Sequence, residues 1–256
     1  MNAWAEVGDR CWVRRYDEWD LNVGLIVGTD GAVLIDTRAT TEQALELREH
    51  VRELTDVPVK WVVNTHAHFD HVNGNDVFTE AEVFAHENAA TAAQLTATTF
   101  AVAKVIDLGD QRVELLHLGN AHTDGDVVVV VPDADVFFLG DLVEESAPPS
   151  YGDDSYPLEW PDTIDRVIGM LSETTKVVPG HGAVVDAEFV RTQANDLGTV
   201  ANTISGLHYG GTSLDDALKH TEDWPWPVGK LQDAIKRGYE SLGAPPRPTL
   251  PLLGPG

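Results

Sequence analysis

The run His66-Ala67-His68-Phe69-Asp70-His71 constrains this chain more than any other segment. Three imidazoles and a carboxylate within six positions are the side chains that hold divalent zinc and its neighbours. A fold that accommodates the run must present a loop of ligands at the rim of a rigid scaffold. The apolar stretch 59–63 reads as a short buried strand that delivers Asn64-Thr65 directly into it.

Three further ligand candidates follow, each in a Gly-rich or turn-like setting. They are His122 within Gly119-Asn120-Ala121-His122-Thr123-Asp124-Gly125-Asp126, Asp141 after Phe138-Leu139-Gly140, and His181 within Val178-Pro179-Gly180-His181-Gly182. Each lies beside an apolar run that reads as a strand, so the candidates collect at strand ends, where a sheet holds a site and loops shape it. Two ions of low coordination number need about this many protein ligands, with one carboxylate shared. His66 and His68, two apart in an extended loop, project to the same side. Asp70 and His71 lie past a turn, within reach of a second ion ~3.5–4 Å away.

In this order the motif set resembles the metallo-β-lactamase-fold superfamily, over roughly residues 8 to 186. The resemblance implies an α/β fold, a four-layer αβ/βα sandwich with a helical C-terminal extension. It implies that His66, His68 and His122 bind one ion, that Asp70, His71 and His181 bind another, and that Asp141 bridges them. The implied cofactor is two Zn2+. The implied activity is metal-dependent hydrolysis, in which a hydroxide shared between the ions attacks a carbonyl of an ester, thioester, lactone or amide, β-lactams included. Asp70 is also the implied catalytic residue, orienting the hydroxide and moving a proton. Asn120, Thr123 and Asp126 are expected to orient imidazoles. The alternative within the same fold is a persulfide dioxygenase with one Fe2+, which shares the first ligand set. A metal-binding scaffold without catalysis fits less well with an intact set that includes Asp70.

Branches of the superfamily separate by what is absent. One zinc β-lactamase subclass places a cysteine in the second site, and the single cysteine here, Cys11, is remote from every motif. Glyoxalase II adds basic residues that grip glutathione; the segment after Asp141 is instead acidic and Pro-rich, Leu142-Val143-Glu144-Glu145-Ser146-Ala147-Pro148-Pro149. The spacing around His122 and the C-terminal extension look most like the glyoxalase-II-related hydrolases found near quinoprotein and sulfur-oxidation systems.

The rest of the chain supplies the scaffold. Residues 21–28 and 32–36 read as a hairpin around Thr29-Asp30-Gly31. Thr40 and Gln43 stand at capping-box spacing, opening a helix with Leu47, Val51 and Leu54 on one face. A strand is expected over 83–85 and a helix over 87–98. Strands follow over 105–107, 111–118, 127–131 and 136–139, the last ending at Asp141. His86 is expected to cap a helix and His117 to end a strand. Residues 143–160 form a long loop, and Ile164, Val167, Ile168 and Leu171 mark an amphipathic helix. Residues 1–186 are the expected core, 187–243 a helical extension of the same domain, and 244–256 a Pro-rich tail, loosely packed or disordered.

A net charge of −25 repels nucleic-acid backbones and anionic membrane surfaces, so neither is an expected partner. The expected partner is a small-molecule substrate, and a homodimer is allowed. With one cysteine, no basic-then-apolar leader and no apolar run of transmembrane length, the expected location is cytoplasmic. Expected substrate contacts are Tyr16, Trp19 and Asn22 around the first hairpin, and Tyr151, Tyr156 and Trp160 in the long loop.

Overall fold

The computed structural model describes residues 3–243; Met1, Asn2 and the Pro-rich tail lie outside the described residues. Sheet 1 contains β1 (Ala5–Gly8), β2 (Cys11–Arg15), β3 (Asn22–Val27), β4 (Ala32–Ile35), β5 (Val59–Val63), β6 (Glu82–His86) and β7 (Thr98–Phe100), side by side in chain order. Its first four strands are antiparallel, and β4 to β7 are parallel. Sheet 2 contains β8 (Ala103–Asp107), β9 (Arg112–Leu116), β10 (Val128–Val131), β11 (Val136–Glu144) and β12 (Lys176–His181). It is antiparallel except between β11 and β12.

Period-2 alternation decides which way each strand faces. In β4, Val33 and Ile35 enter the core between the sheets, while Ala32 and Leu34 face outward against α1 (Thr41–Leu54). In β10, Val129 and Val131 point inward, and Val128 and Val130 pack under the outer helices. Both faces of these strands are buried, which explains their unbroken Val, Ile and Leu runs. The outcome is helix, sheet, sheet, helix, the four layers that the resemblance implied. The C-terminal helices α5 (Ala187–Tyr209), α6 (Leu214–Ala217) and α7 (Gln232–Leu242) join α4 (Trp160–Ile168) on the outer face of sheet 2, through Val190, Leu197, Ile204 and Ile235.

Local structure departs from the sequence expectation at three places. After α2 (Phe69–Val72), the helix expected over 87–98 is shorter: α3 spans Glu87–Ala92. Gln94 takes a left-handed φ of 54°, and Thr98-Thr99-Phe100 becomes an edge strand instead, in keeping with its β-branched and aromatic content. The strand expected to end at Asp141 continues to Glu144. Gly140 at φ 52° and two register shifts against β12 make a bulge there, and the bulge turns Asp141 out of the ladder. At α1, Thr40 accepts from the Gln43 amide as expected, but the Gln43 side chain accepts from Ala39 N–H, one residue earlier than a capping box requires.

β3 packs directly on β11 at Gly24 and Phe138. A Cβ on Gly24 would stand 2.5 Å from Phe138 Cε1, so only glycine lets the two layers meet there. Gly24→Ala should therefore lower stability by about 1–3 kcal/mol through overpacking. Gly198→Ala, in α5 with nothing within 4 Å of the added carbon, should instead raise it by about 0.4–1 kcal/mol. Urea unfolding of both variants checks the pair; equal effects of the same sign would contradict this packing account.

Candidate metal centre

The seven ligand candidates meet where the ends of β5, β11 and β12 come together. His66, His68, His122 and Asp141 form one group, and Asp70, His71 and His181 form another; within each, one potential ligand atom per residue lies within 4.8 Å of the others. The Asp141 carboxylate reaches into both. Its Oδ2 is 3.7 Å from His66 Nε2, 3.6 Å from His122 Nε2 and 3.3 Å from His181 Nε2, and its Oδ1 is 3.3 Å from His71 Nε2. Asp70 Oδ2 stands 3.6 Å from His71 Nε2 and 3.5 Å from His181 Nε2.

Local sequence explains the convergence. β5 ends at Val63, and the chain then bends through residues 65–67, leaving the His66 and His68 rings as neighbours 4.7 Å apart. The single turn α2 then lifts Asp70 and His71 toward the same space. His181 is the last residue of β12. The preceding Gly180 is indispensable, because a Cβ there would fall 1.8 Å from Asp141 Oδ1.

Most imidazoles are held by the nitrogen that faces away from the centre. His71 Nδ1 contacts Asp36 Oδ2 at 2.7 Å, His122 Nδ1 contacts the Ser150 carbonyl at 3.0 Å, and His181 Nδ1 contacts the Trp19 carbonyl at 2.7 Å. His68 is reversed: its Nε2 faces Asp154 Oδ2 at 3.0 Å, leaving Nδ1 inward, 2.9 Å from His122 Nε2. Such outer partners fix ring orientation and tautomer. Asp36 does more than hold one ring. It also accepts from Thr65 N–H and Thr65 Oγ1, each at 2.8 Å, and so ties β4 to the start of the histidine loop. It does this at φ 65°, an unfavourable conformation for a non-glycine residue that the three hydrogen bonds hold in place.

The electrostatics call for a cation. Burial pushes the His66 imidazole well below its usual range, and His122 down to about 4. Burial would lower His71 and His181 too, but the Asp141 carboxylate outweighs it, holding His71 well above its usual value and His181 at about 9. Asp141 itself is held far below the usual carboxylate range, because the surrounding imidazoles overcome its burial. His66 Nε2, His71 Nε2 and Asp141 Oδ1 are buried without a hydrogen-bond partner. Native interiors rarely leave such atoms unmatched. A set of imidazole nitrogens and carboxylate oxygens, oriented from behind and unpaired in front, fits divalent metal of the zinc type.

The expected substrate residues are distributed unevenly. Trp19 is 51% exposed and meets Phe69, 53% exposed, edge to face at 5.4 Å; Trp19 sits on the loop that holds His181, and Phe69 adjoins Asp70. Asn22 is buried and donates to the carbonyls of Pro179 and Gly182, bracing the His181 loop. Tyr16 is buried beneath α1, bonded to His50, with the Arg38 guanidinium 3.6 Å above its ring. Tyr151 and Trp160 are buried under the outer helices, Trp160 packing against the His122 ring at 5.5 Å. Tyr156 lies half-buried beside Arg237. These positions make Tyr16, Asn22, Tyr151 and Trp160 packing or bracing residues, because apolar burial drew the rings inward. Asn120, Thr123 and Asp126 contact no ligand imidazole: Thr123 and Asp126 bond each other to close the His122 loop, and Asn120 bonds Glu159. The outer partners are instead Asp36, Asp154, the Thr65 hydroxyl beside His66 Nδ1, and two backbone carbonyls. Asp36 at the end of an apolar strand was visible in the sequence; a carbonyl leaves no such signal. Phe69, an apolar residue inside a ligand run, was a second signal.

His86 caps α3 and stacks on His117, which follows β9 directly. Cys11 lies in the core between the sheets, its thiol pushed up to about 12 by burial. A cavity of about 560 Å³ opens on the α1 side of sheet 1, lined by Arg48, Val51 and Phe78 among others, and none of the seven ligand candidates borders it.

A pH dependence follows. At pH 7 the metal-free centre carries protons on His71 and His181, both raised, and a metal must displace them. Zinc binding should therefore release protons at pH 7 and tighten as pH rises. The His181 share of that release should fade above about pH 9, where the ring is already neutral. Calorimetry in buffers of different ionisation enthalpy reads the release directly, and buffer-independent heats at pH 7 would contradict the assignment.

Known proteins are similar to this chain in sequence and fold. A family model described as the metallo-beta-lactamase superfamily matches residues 16–181. The metallo-beta-lactamase type 2 of Bacillus cereus is 31% identical over 173 residues, which cover 64% of this chain and 68% of that protein. Among solved structures, a metallo-beta-lactamase from Pontibacter korlensis has 26% identity and a TM-score of 0.66, over 77% of this chain and 99% of that one. The metallo-beta-lactamase FIM-1 from Pseudomonas aeruginosa, solved in a mono-zinc form, shares the fold at 20% identity and a TM-score of 0.63, over 78% and 96%. These relatives carry lactamase names, whereas the sequence looked most like the glyoxalase-II-related hydrolases; the likeness establishes the superfamily and not the branch. The chain belongs to the metallo-beta-lactamase superfamily of metal-dependent hydrolases.

Proposed function

We propose that this protein is a dinuclear zinc hydrolase acting on a neutral carbonyl substrate: an ester, thioester, lactone or amide. The observation that carries the reading is the Asp141 carboxylate, which stands within 3.7 Å of imidazoles from both groups. One carboxylate placed to serve two ions is the hallmark of a paired centre, with His66, His68 and His122 for one ion and Asp70, His71 and His181 for the other. Bound zinc would supply a nucleophile ionised near neutral pH and a Lewis acid for the substrate oxygen.

The chain's own residues do the rest. Asp70, buried at the floor and 3.5 Å from His181 Nε2, holds the attacking water in line and takes its proton toward the leaving group. Trp19 and Phe69 offer an exposed apolar wall beside the centre, suited to a hydrophobic substituent. Charge narrows the substrate class. Asp154 stands on His68, and the Glu145 carboxylate accepts from Ala183 N–H just past His181, whereas burial, and then the Asp141 charge, push Glu144 up to about 8, so it adds no charge near pH 7. Arg15, on the strand leading to the Trp19 loop, is already paired with Asp20. A polyanionic substrate would meet acidic neighbours there, so a neutral one is favoured. Absence of cysteine from both ligand groups favours the branches with a histidine in that position, glyoxalase-II-related enzymes among them.

Asp70→Asn keeps the size of the side chain and removes its charge. Turnover of a reporter lactone or thioester should fall by at least about 10²-fold, the scale of a lost general acid–base group, while most of the zinc stays bound. Unchanged turnover with metal retained would sink the proposed role of Asp70.

A further inference from the structure

We propose that the C-terminal helices beyond the family core position one half of the metal centre, acting through the loop that follows β11. This rests on the metal-centre reading above. The loop, residues 145–159, bonds two ligand rings, and both belong to the same group: Ser150 offers its carbonyl to His122 Nδ1, and Asp154 faces His68 Nε2. In the second group the loop bonds only backbone, Glu145 N–H donating to the His181 carbonyl, while the rings rest elsewhere: His71 on Asp36 from sheet 1 and His181 on the Trp19 carbonyl.

The helical extension grips this loop at both ends. At its root, Gln193 of α5 clamps the backbone of Glu144, its Nε2 donating to the Glu144 carbonyl at 2.7 Å and its Oε1 accepting from the Glu144 amide at 3.3 Å. The Glu144 side chain then accepts from Ser150 N–H at 2.9 Å. Ser150 thus links Glu144, through its N–H, with His122, through its carbonyl. At the far end, Arg237 of α7 donates from Nε to the Ser155 carbonyl at 3.0 Å, next to Asp154. Gln193 is 6% exposed and spends both polar atoms on this contact. Two chains of contact therefore run from the extension to the centre: Gln193, Glu144, Ser150, His122, and Arg237, Ser155, Asp154, His68. The family match ends at residue 181, so both grips come from outside it. Gln193 and Arg237 are positioning residues: neither touches a ligand atom, and each restricts a loop that does. Partners behind a metal-binding histidine typically govern 10–100-fold of metal affinity.

The test is stepwise zinc affinity, read by competition with a chromophoric chelator, on the full chain and on Arg237→Ala and Gln193→Ala. His122→Ala and His181→Ala mark which binding step belongs to which group. Ile235→Val trims one methyl from the buried face of α7, leaves the hydrogen bonds to the loop in place, and serves as the stability control. Both positioning variants should weaken the His122-linked ion by about tenfold or more and leave the other within about twofold. Their cobalt-loaded absorption spectra should change in the bands that His122→Ala removes. Ile235→Val should lower the melting temperature and leave both affinities in place. Unmoved affinities in Arg237→Ala and Gln193→Ala, or equal weakening of both ions in all three variants, would overturn the proposal. A wild-type chain that binds no zinc would overturn the metal-centre reading and this inference with it; bound zinc with unmoved affinities overturns this inference alone.

Discussion

One carboxylate organises this molecule. Asp141 is 6% exposed, and four imidazole nitrogens converge on it from three segments of chain. Removing an ionised carboxylate from water costs several kcal/mol unless opposite charge compensates it. Partly protonated imidazoles compensate it in the metal-free chain, and divalent ions would do so more completely. Much of the surrounding architecture can be read as what is needed to place Asp141 there: the bulge at Gly140, the bare Cα of Gly180, and the close approach of the two sheets at Gly24 and Phe138.

The scaffold divides the labour between its halves. Sheet 1 delivers the histidine loop and braces it through Asp36, while sheet 2 delivers Asp141 and His181 on neighbouring parallel strands. The isolated bridge between Leu21 and His181 joins them at the site itself. Hydrophobic burial fixes the sheets to about the tolerance of a methyl group, and hydrogen bonds to the outer imidazole nitrogens set the final orientation. The centre is thereby oriented before any ion arrives, which limits the reorganisation that binding must drive.

How much of this was legible in the sequence varies with the kind of interaction. The ligand candidates were legible because few roles other than metal binding bring imidazole and carboxylate together at such density. The alternating strands were legible because both faces of the central strands are buried, leaving unbroken apolar runs such as Val127 to Val131. The aromatics were not: Tyr16, Tyr151 and Trp160 lie in segments whose sequence allows a ring to face a cleft or a core, and only the packing partners decide. Nor were the backbone carbonyls of Trp19 and Ser150, since any residue supplies a carbonyl. The bulge that carries β11 past Asp141 was also hidden, because Gly140 reads equally well as the end of a strand.

The central claim is a paired zinc centre, and its most direct test is elemental analysis of the protein purified without chelator or added metal. The account predicts about two zinc ions per chain, falling to about one or fewer in Asp141→Ala. About one iron per chain with little zinc would contradict it and turn the reading toward oxygen chemistry on the same ligands; a chain free of metal even after incubation with zinc would contradict it outright.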